Sequence, residues 1–509
     1  MSFSVLVDWA RDNDFTDPND DVTALVRRSG GITVEYGRDQ STAMAPTVAG
    51  RGSLTLDNVD RRFSPRNTLS PLYGFIKPAR PVKIIRHPGG TAYGSGAYGG
   101  GLYGGGALAS DHVLFQGHTD DSPINPDADA QTVTLSLVDS LADFRGHTIS
   151  TSLYAGLRTG EAIDIILDEC GWTGTRDLDV GASVLPWWWE DGTDALEALE
   201  KLVRCEGPPA MLTIGVDGGI VFKDRHHRLL DSASITSQGT WRDVAGTGDP
   251  VMSSPFSYDD AWRNIINTGR IDVEIRTPQA LDAVWTIDSP IGFTNSETKT
   301  FIASASDPFT NAIVPVADTD YVLTSGSLSS VTLSRTSGAS TTITLTAGGG
   351  GAQISSLQLR AQPVQTAYTV QVTASDATSI TDYGLRSFPG DLPFCNQYDA
   401  QAILDTAVEM RAQPLPVLSV RLVVANESWA DPVLSRDLSD RLTIVEAETV
   451  LNTDFYLESI AHEFASDYDH AVVAGLEAVP PDGDTTASNI FLLGSSAVGH
   501  RLGTGVFAP

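Results

Sequence analysis

His462 and Glu463, followed by His470, come nearest in this chain to a metal-hydrolase signature. A zincin helix places its second histidine one turn after the first, so that both imidazoles face one zinc ion while the glutamate activates the bound water. Here that position is Ser466, and the flanking residues alternate as a strand, so metalloprotease chemistry is not expected. His226 and His227 are adjacent. In a strand or loop their rings diverge and do not share a metal, and they read as surface histidines. Asp12, Asp14, Asp17, Asp20 and Asp21 carry enough oxygens for a hard cation, but no glycine makes the tight turn and no glutamate closes an EF-hand loop, so they read as a solvated turn. Gly94, Gly96 and Gly99 match a dinucleotide fingerprint by letter. No strand leads in and no helix leads out, so a pyrophosphate would have no helix N-terminus to sit on. Cys170, Cys205 and Cys395 lack metal or redox spacing and read as buried thiols. Trp187, Trp188 and Trp189 offer a sugar platform in principle, but in a strand Trp187 and Trp189 share one face, which favours core or subunit contact. No G-x-S-x-G elbow is present, and Asn426 with Ser428 is a sequon without meaning unless the chain is secreted. No catalytic, cofactor-binding or metal residue is assigned, no cofactor is expected, and the chain is expected not to be an enzyme.

The whole chain sets the frame for these residues. Its net charge of -31 and pI near 4.4 oppose a grip on phosphates or anionic lipid, which excludes ordinary nucleic-acid binding. The same charge would suit a wall past which DNA slides. Hydrophobic residues at 41% against 19% charged leave ample apolar surface to bury, and 509 residues correspond to roughly three or four domains. The start MSFSVLVDWARDND lacks a basic leader, and no apolar run reaches the length of a membrane span, so synthesis in a reducing cytoplasm is expected.

Period-two alternation predicts a mainly β chain with α+β portions. Ile32, Val34 and Tyr36, then Leu54 and Leu56, Val113 to Phe115, and Val133, Leu135 and Leu137 mark an all-β unit over 1–150, with a Gly/Tyr-rich loop at 93–106. Residues 151–250 read as α+β. Thr159 is the expected cap of a helix carrying Ile163, Ile166, Leu167 and Cys170 and ended by Gly171. Thr193 or Asp194 starts a second helix with Leu196, Leu199 and Val203 on its face, and a hairpin turns at DGG, 217–219. Between Phe301 and Val370 charge almost vanishes and Ser and Thr alternate with Val, Ile and Leu, which predicts a linker and inserted β-sandwich over 251–385. The last folded unit, 386–480, opens with a helix after Asn396 that uses Ile403, Leu404, Ala407 and Met410. Strands follow at Leu418 to Val424, at Leu442 to Val445 and in YLESIAHEF and VVAGLEAV, and 481–509 is a C-terminal extension.

One stretch is more specific than these patterns. In LTLDNVDRRFSP, Asp57, Asn58 and Asp60 supply turn chemistry around a lone aromatic, Phe63, and SPLYG and PARPVKI follow, with prolines that forbid a helix until Val82 and Ile84 restart the alternation. Together with Asp21, Val22 and Thr23 upstream and Gly37 and Arg38 closing a strand, this order resembles the N-terminal tube domain of the hub, or tail-tip minor tail protein, of long-tailed bacteriophages. WWWEDGTDALEALEKL, DGGIVFKDR, Arg228 and SITDYGLRSFP at 379–389 are similar to later parts of that family. The resemblance implies a homotrimer whose two tail-tube-like β-barrel domains per subunit make a ring of six, matched to a hexameric tail tube. It implies as partners the tail tube and distal tail proteins, the tape measure protein and other tip or receptor-binding proteins, with DNA passing through unbound and the protein located in the virion. Two rivals remain: a tail-associated peptidoglycan or polysaccharide hydrolase, and a glycan-binding adhesin using the inserted β-sandwich or the three tryptophans.

Overall fold

The computed structural model describes residues 2–27, 30–38, 40, 47–87, 111–121, 124, 126–245, 248–424, 427–464, 470–480, 490–491 and 506–507. The Gly/Tyr-rich loop at 93–106, the Asn426 sequon and nearly all of 481–509 lie outside these residues. The chain is mainly β, with a few helices, and its buried apolar side chains separate into four clusters.

The first cluster in chain order is enclosed by β1 (Ser2–Val7), β2 (Ile32–Arg38), β3 (Thr47–Asp57), β4 (Pro81–His87), β5 (His112–Thr119) and β6 (Thr132–Val138), in the order β1-β4-β5-β6-β3-β2. Alternation decides which side chains enter it. Ile32, Val34, Leu54, Leu56, Val133, Leu135 and Leu137 are all buried, while Thr55 and Thr134 between them meet at the surface, 3.0 Å apart. The chain between β1 and β2 closes the sheet on itself. Val7 N–H donates to Asp20 O at 2.9 Å and Val22 N–H to Val5 O at 3.0 Å, and Arg27 N–H then donates to Thr55 O of β3 at 3.0 Å. The turn after β3 is built on Asn58, whose Oδ1 accepts from Phe63 N–H at 3.0 Å and whose Nδ2 donates to Ser64 Oγ at 3.2 Å. That fold-back drives Phe63 into the core beside Trp9, with ring centroids 5.9 Å apart.

Helices α1 (Thr159–Glu169) and α2 (Ala195–Glu206) and the hairpin Met211–Ile214/Ile220–Lys223 follow. The caps differ in part from expectation. Arg158, not Thr159, is the N-cap of α1, its N–H donating to Glu161 Oε2 at 2.8 Å; the Thr159 hydroxyl donates instead to buried Glu206 at 2.6 Å. Asp194 caps α2 by accepting from Leu196 and Glu197 N–H. The inner face of α2 is Ala195, Ala198, Leu199 and Leu202, with Leu196 and Val203 only half-buried, because the small alanines permit the closest approach.

Residues Thr268–Ser375 form a sheet unit with its own core. Every one of its strands pairs with the 36-residue strand Ser340–Ser375. Thr268–Pro278 pairs with the far end of that strand, and its remaining length takes the other strands around Phe309, Ile343, Leu345, Ile354, Leu357 and Leu359. Beyond it, α3 (Gln397–Arg411) is capped by Asn396 Oδ1, which accepts from Tyr398 and Asp399 N–H at 2.9 Å each. Ile403 and Leu404 of α3 enter the same core as α1 and α2; Val408 is buried where Met410 was expected, and Met410 is half-buried.

Six more strands enclose the remaining cluster: β7 (Thr240–Arg242), β8 (Met252–Asp259), β9 (Val417–Val423), β10 (Arg441–Glu446), β11 (Leu451–Phe464) and β12 (His470–Ala478). Their order is β7-β10-β11-β12-β9-β8. Arg242 N–H donates to Pro250 O at 3.0 Å, which joins β7 to the lead-in of β8 and closes this unit too. Each strand of the second unit therefore sits where the strand six places earlier sits in the first. They differ in the direction of one pair, since β1 and β4 run antiparallel while β7 and β10 run parallel.

Candidate functional site: the seam between the barrels and the edge beyond it

The two units are parts of one 12-stranded sheet, joined where the outer edge of β2 pairs with β11. Thr33 to Gly37 run antiparallel to Glu463 to Ser459. Gly37, at φ +118°, is required there, since a Cβ would stand 2.4 Å from Glu458 O and 2.6 Å from Ser459 Cα. A side chain at this position would force the two strands apart.

Behind the seam lies a buried ionic network. Glu458, 1% exposed, accepts from Arg228 Nη2 at 2.6 Å and faces Arg38 Nη1 at 3.7 Å. Arg38 also donates to Pro209 O at 3.0 Å and Ala210 O at 2.6 Å, tying the end of β2 to the α+β unit. The Arg228 guanidinium lies over Tyr456, 4.4 Å from its ring centroid, and Arg411 of α3 forks onto Glu477 of β12 at 2.9 and 2.8 Å. Burial raises the Glu477 carboxyl, but Arg411, with Arg228 and Arg38 beyond, outweighs it and holds the group below its ordinary value. Burial lowers Arg38, against the pull of Glu458. Both charges persist because each has its partner.

The sequence candidates fall as follows. His462 and His470 do come together, Nδ1 to Nε2 at 3.1 Å, on strands β11 and β12 rather than a helix, and His470 stacks on Phe464 with centroids 4.7 Å apart. Burial lowers His462 to about 4 and His470 well below the ordinary imidazole range, so the pair is neutral and structural. Among the described residues no three His, Cys, Asp or Glu converge as metal ligands. His226 and His227 are half-buried rather than at the surface: His226 is lowered by burial to about 4, and His227 Nδ1 meets Asp179 Oδ2 at 2.9 Å. The acidic turn is satisfied by its own backbone. Asp8, fully buried, accepts from Arg11 and Asn13 N–H, and Asp20 accepts from Trp9 and Asp17 N–H. Trp188 is fully buried against Tyr154, Trp187 Nε1 donates to Arg276 O at 3.2 Å, and Trp189 carries Arg276 over its ring at 5.3 Å. All three tryptophans are committed to internal contacts. Cys205 and Cys395, unrelated in sequence spacing, lie side by side.

What the seam takes from β2 is missing at its counterpart β8. Among the described residues β8 pairs with β9 alone beyond its first residues, and no strand covers its outer side from Phe256 to Asp259. Ser257 and Tyr258 are both exposed although neighbours in a strand point to opposite faces, so this stretch is bare on two sides. Tyr258 at 39% and Trp262 at 64% exposure put large aromatic groups on and just after this edge.

No family model and no curated protein matches the chain. Among solved structures it is similar to a prophage MuSo2 tail protein from Shewanella oneidensis, with 11% identity over 93% of this chain and 98% of that one, and a TM-score of 0.47. It is similar also to a tail protein from Neisseria meningitidis MC58, with 10% identity over 94% and 97% of the two chains and a TM-score of 0.43. A third is prophage tail protein gp18 from Listeria monocytogenes EGD-e, with 8% identity over 95% and 97% and a TM-score of 0.41.

Proposed function

We propose that this protein is the structural hub of a phage tail tip, in which three copies form a ring of six barrels that joins a hexameric tail tube to the tip and leaves a channel for DNA. The observation that carries this reading is the repeated strand order, β1-β4-β5-β6-β3-β2 and β7-β10-β11-β12-β9-β8, fused edge to edge into one sheet. Two equivalent barrels in one chain let a threefold assembly present six like positions, which is what a trimer needs to meet a sixfold tube.

The edges supply a way to close the ring. Within the chain, β2 of the first barrel pairs with β11 of the second. The counterpart of β2 is β8, and its bare side is the edge through which one copy would meet the first barrel of the next. Repeated head to tail, such a contact would close three copies into a ring. The net charge of -31 favours a lumen to which DNA does not adhere. Tube, distal tail, tape measure and receptor-binding proteins are the partners in this reading, the virion tail tip is its location, and no bond is made or broken. Light scattering and negative-stain imaging of the purified chain test it. Threefold rings with a central hole are expected, and a monomer that persists at high concentration would overturn it, as would cell-wall clearing in a zymogram.

A further inference from the structure

We infer that Cys205 and Cys395 form a disulfide when the chain meets an oxidant, stapling the end of α2 to the segment that leads into α3. The two sulfurs stand 2.7 Å apart, and the Cys395 thiol also lies 3.0 Å from Cys205 O. Cys205 is fully buried and Cys395 is 4% exposed, in the core shared by α1, α2 and α3. The backbone there is held close without any bridge. Gly207, next to the end of α2, leaves no room for a Cβ against Ile403 of α3, which would lie 2.6 Å away, and Ser183 Oγ donates to Cys205 O at 2.9 Å. Closing the bond therefore calls for little movement of either segment.

The position of the pair in the chain gives the bond its leverage. The two cysteines are 190 residues apart, and the whole Thr268–Ser375 sheet unit lies between them, so a bridge ties off that excursion at its base. A crosslink across so long a loop removes many conformations from the unfolded chain. Burial, followed by the neighbouring Cys395, Glu206 and Asp399, raises the Cys205 thiol well above its ordinary value. The thiols are thus slow to react in the closed core, and the bridge forms as the chain folds or opens locally. With glutathione disulfide as oxidant, one cysteine thiolate attacks the glutathione S–S bond and releases one glutathione thiol. The second cysteine sulfur then displaces the other glutathione. One S–S bond is broken and one formed, and the two cysteine protons pass to the two departing thiolates. Cys170, half-buried beside Trp172 at the end of α1, takes no part.

The test is to refold the full chain with glutathione disulfide or with a reducing thiol, then denature, alkylate and map the cysteine peptides by mass. The expected result is one crosslinked species, Cys205 to Cys395, with Cys170 alkylated, and a thermal midpoint higher by roughly 5 °C or more that dithiothreitol reverses. Cys170→Ser should keep the shift and Cys205→Ser should abolish it. Alkylation of all three cysteines after refolding in excess oxidant would overturn the inference, as would a bridge to Cys170 or a bridged chain no more stable than the reduced one. The peptide map of the unsubstituted chain decides the matter even if Cys205→Ser does not fold. It reads independently of whether the protein forms rings.

Discussion

The outer edges of β2 and β8 hold the same place in two copies of one strand order, yet one is closed by the chain itself and the other is bare. At β2 the closure is elaborate: a glycine that lets two backbones touch, and behind it a carboxylate facing two buried guanidiniums. At β8, among the described residues, no buried ionic network stands behind the edge: Ser257 and Tyr258 are exposed, Trp262 follows closely, and the ion pair of Asp259 with Arg263 lies at the surface. A seam that must hold as the chain folds is built from buried groups that are costly to leave alone. An edge that must wait for a second molecule has to remain compatible with water.

Removing the central charge should break the closed side most. In Glu458→Ala, Arg38 and Arg228 stay buried without their carboxylate, which should destabilise the fold by about 3–5 kcal/mol, read from urea unfolding. A change under about 1 kcal/mol would mean that the network does not hold the seam. Gly37→Val attacks the same place through sterics. The side chain meets Glu458 O and Ser459 from a backbone at φ +118°, and the expected loss is on the order of 3 kcal/mol. Hydrogen exchange should place that loss in β2 and β11 ahead of the rest of the sheet. Uniform exchange would separate Gly37 from the seam.

The pH response sharpens the comparison, because the imidazoles lie on the closed side. His462, lowered by burial to about 4, and His470, lowered well below its ordinary value, are neutral in the fold but take up protons near 6.5 when unfolded. The unfolded state therefore binds more protons between these values, and stability is full above about pH 6.5 and lost as pH falls toward 4. For His462 alone the loss is about 3 kcal/mol at pH 4. Asp139, Asp224 and Asp440, each raised by burial to about 6, work in the opposite direction, so the informative quantity is a difference. The stability of His462→Phe should fall less steeply over this range than that of the unsubstituted chain, and parallel curves would refute the assignment.

The strands from Ile32 to Val138 and from Val417 to Ala478 are legible in the sequence because alternation survives wherever one face is buried, whereas β1, β7 and β8 are not: the sequence places β7 in the α+β block and β8 in the linker before the inserted sheet unit, outside the 386–480 unit that they complete. Leu54 and Leu56 in β3 and Leu418, Val420 and Leu422 in β9 carry that signal. Asp194, Asn396 and Gly171 marked helix ends through local chemistry that needs no tertiary partner. The face of α2 was misjudged because size ranks leucine over alanine, while packing set Ala195 and Ala198 innermost. The seam network is not legible as a network. Gly37, Arg38 and Arg228 stand out in the sequence only through the resemblance, and they are far from Glu458 in the chain, so nothing local joins the two buried guanidiniums to their carboxylate. Nor does spacing say anything about Cys205 and Cys395, which tertiary packing alone brings together.

The smallest effect on stability is expected on the open side, where the effect on assembly should be complete. Ser257 is exposed and its hydroxyl makes no hydrogen bond among the described residues, so Ser257→Lys should shift unfolding by no more than about 0.5 kcal/mol. A lysine on an edge strand, however, places an unpaired ammonium where the next copy's backbone must approach, and edges are blunted against pairing in this way. If the proposed ring forms through this edge, the substituted chain should sediment as a folded monomer at concentrations where the parent associates, and Trp262→Ala should weaken association by a lesser amount. The two sides of the comparison then separate cleanly. Glu458→Ala should lower stability through a contact already made within one chain, whereas Ser257→Lys should leave the subunit intact and remove only the proposed contact between subunits. If Ser257→Lys still forms rings of unchanged size and strength, β8 is not the edge that closes them, and the equivalence of the two barrels does not extend to their partners.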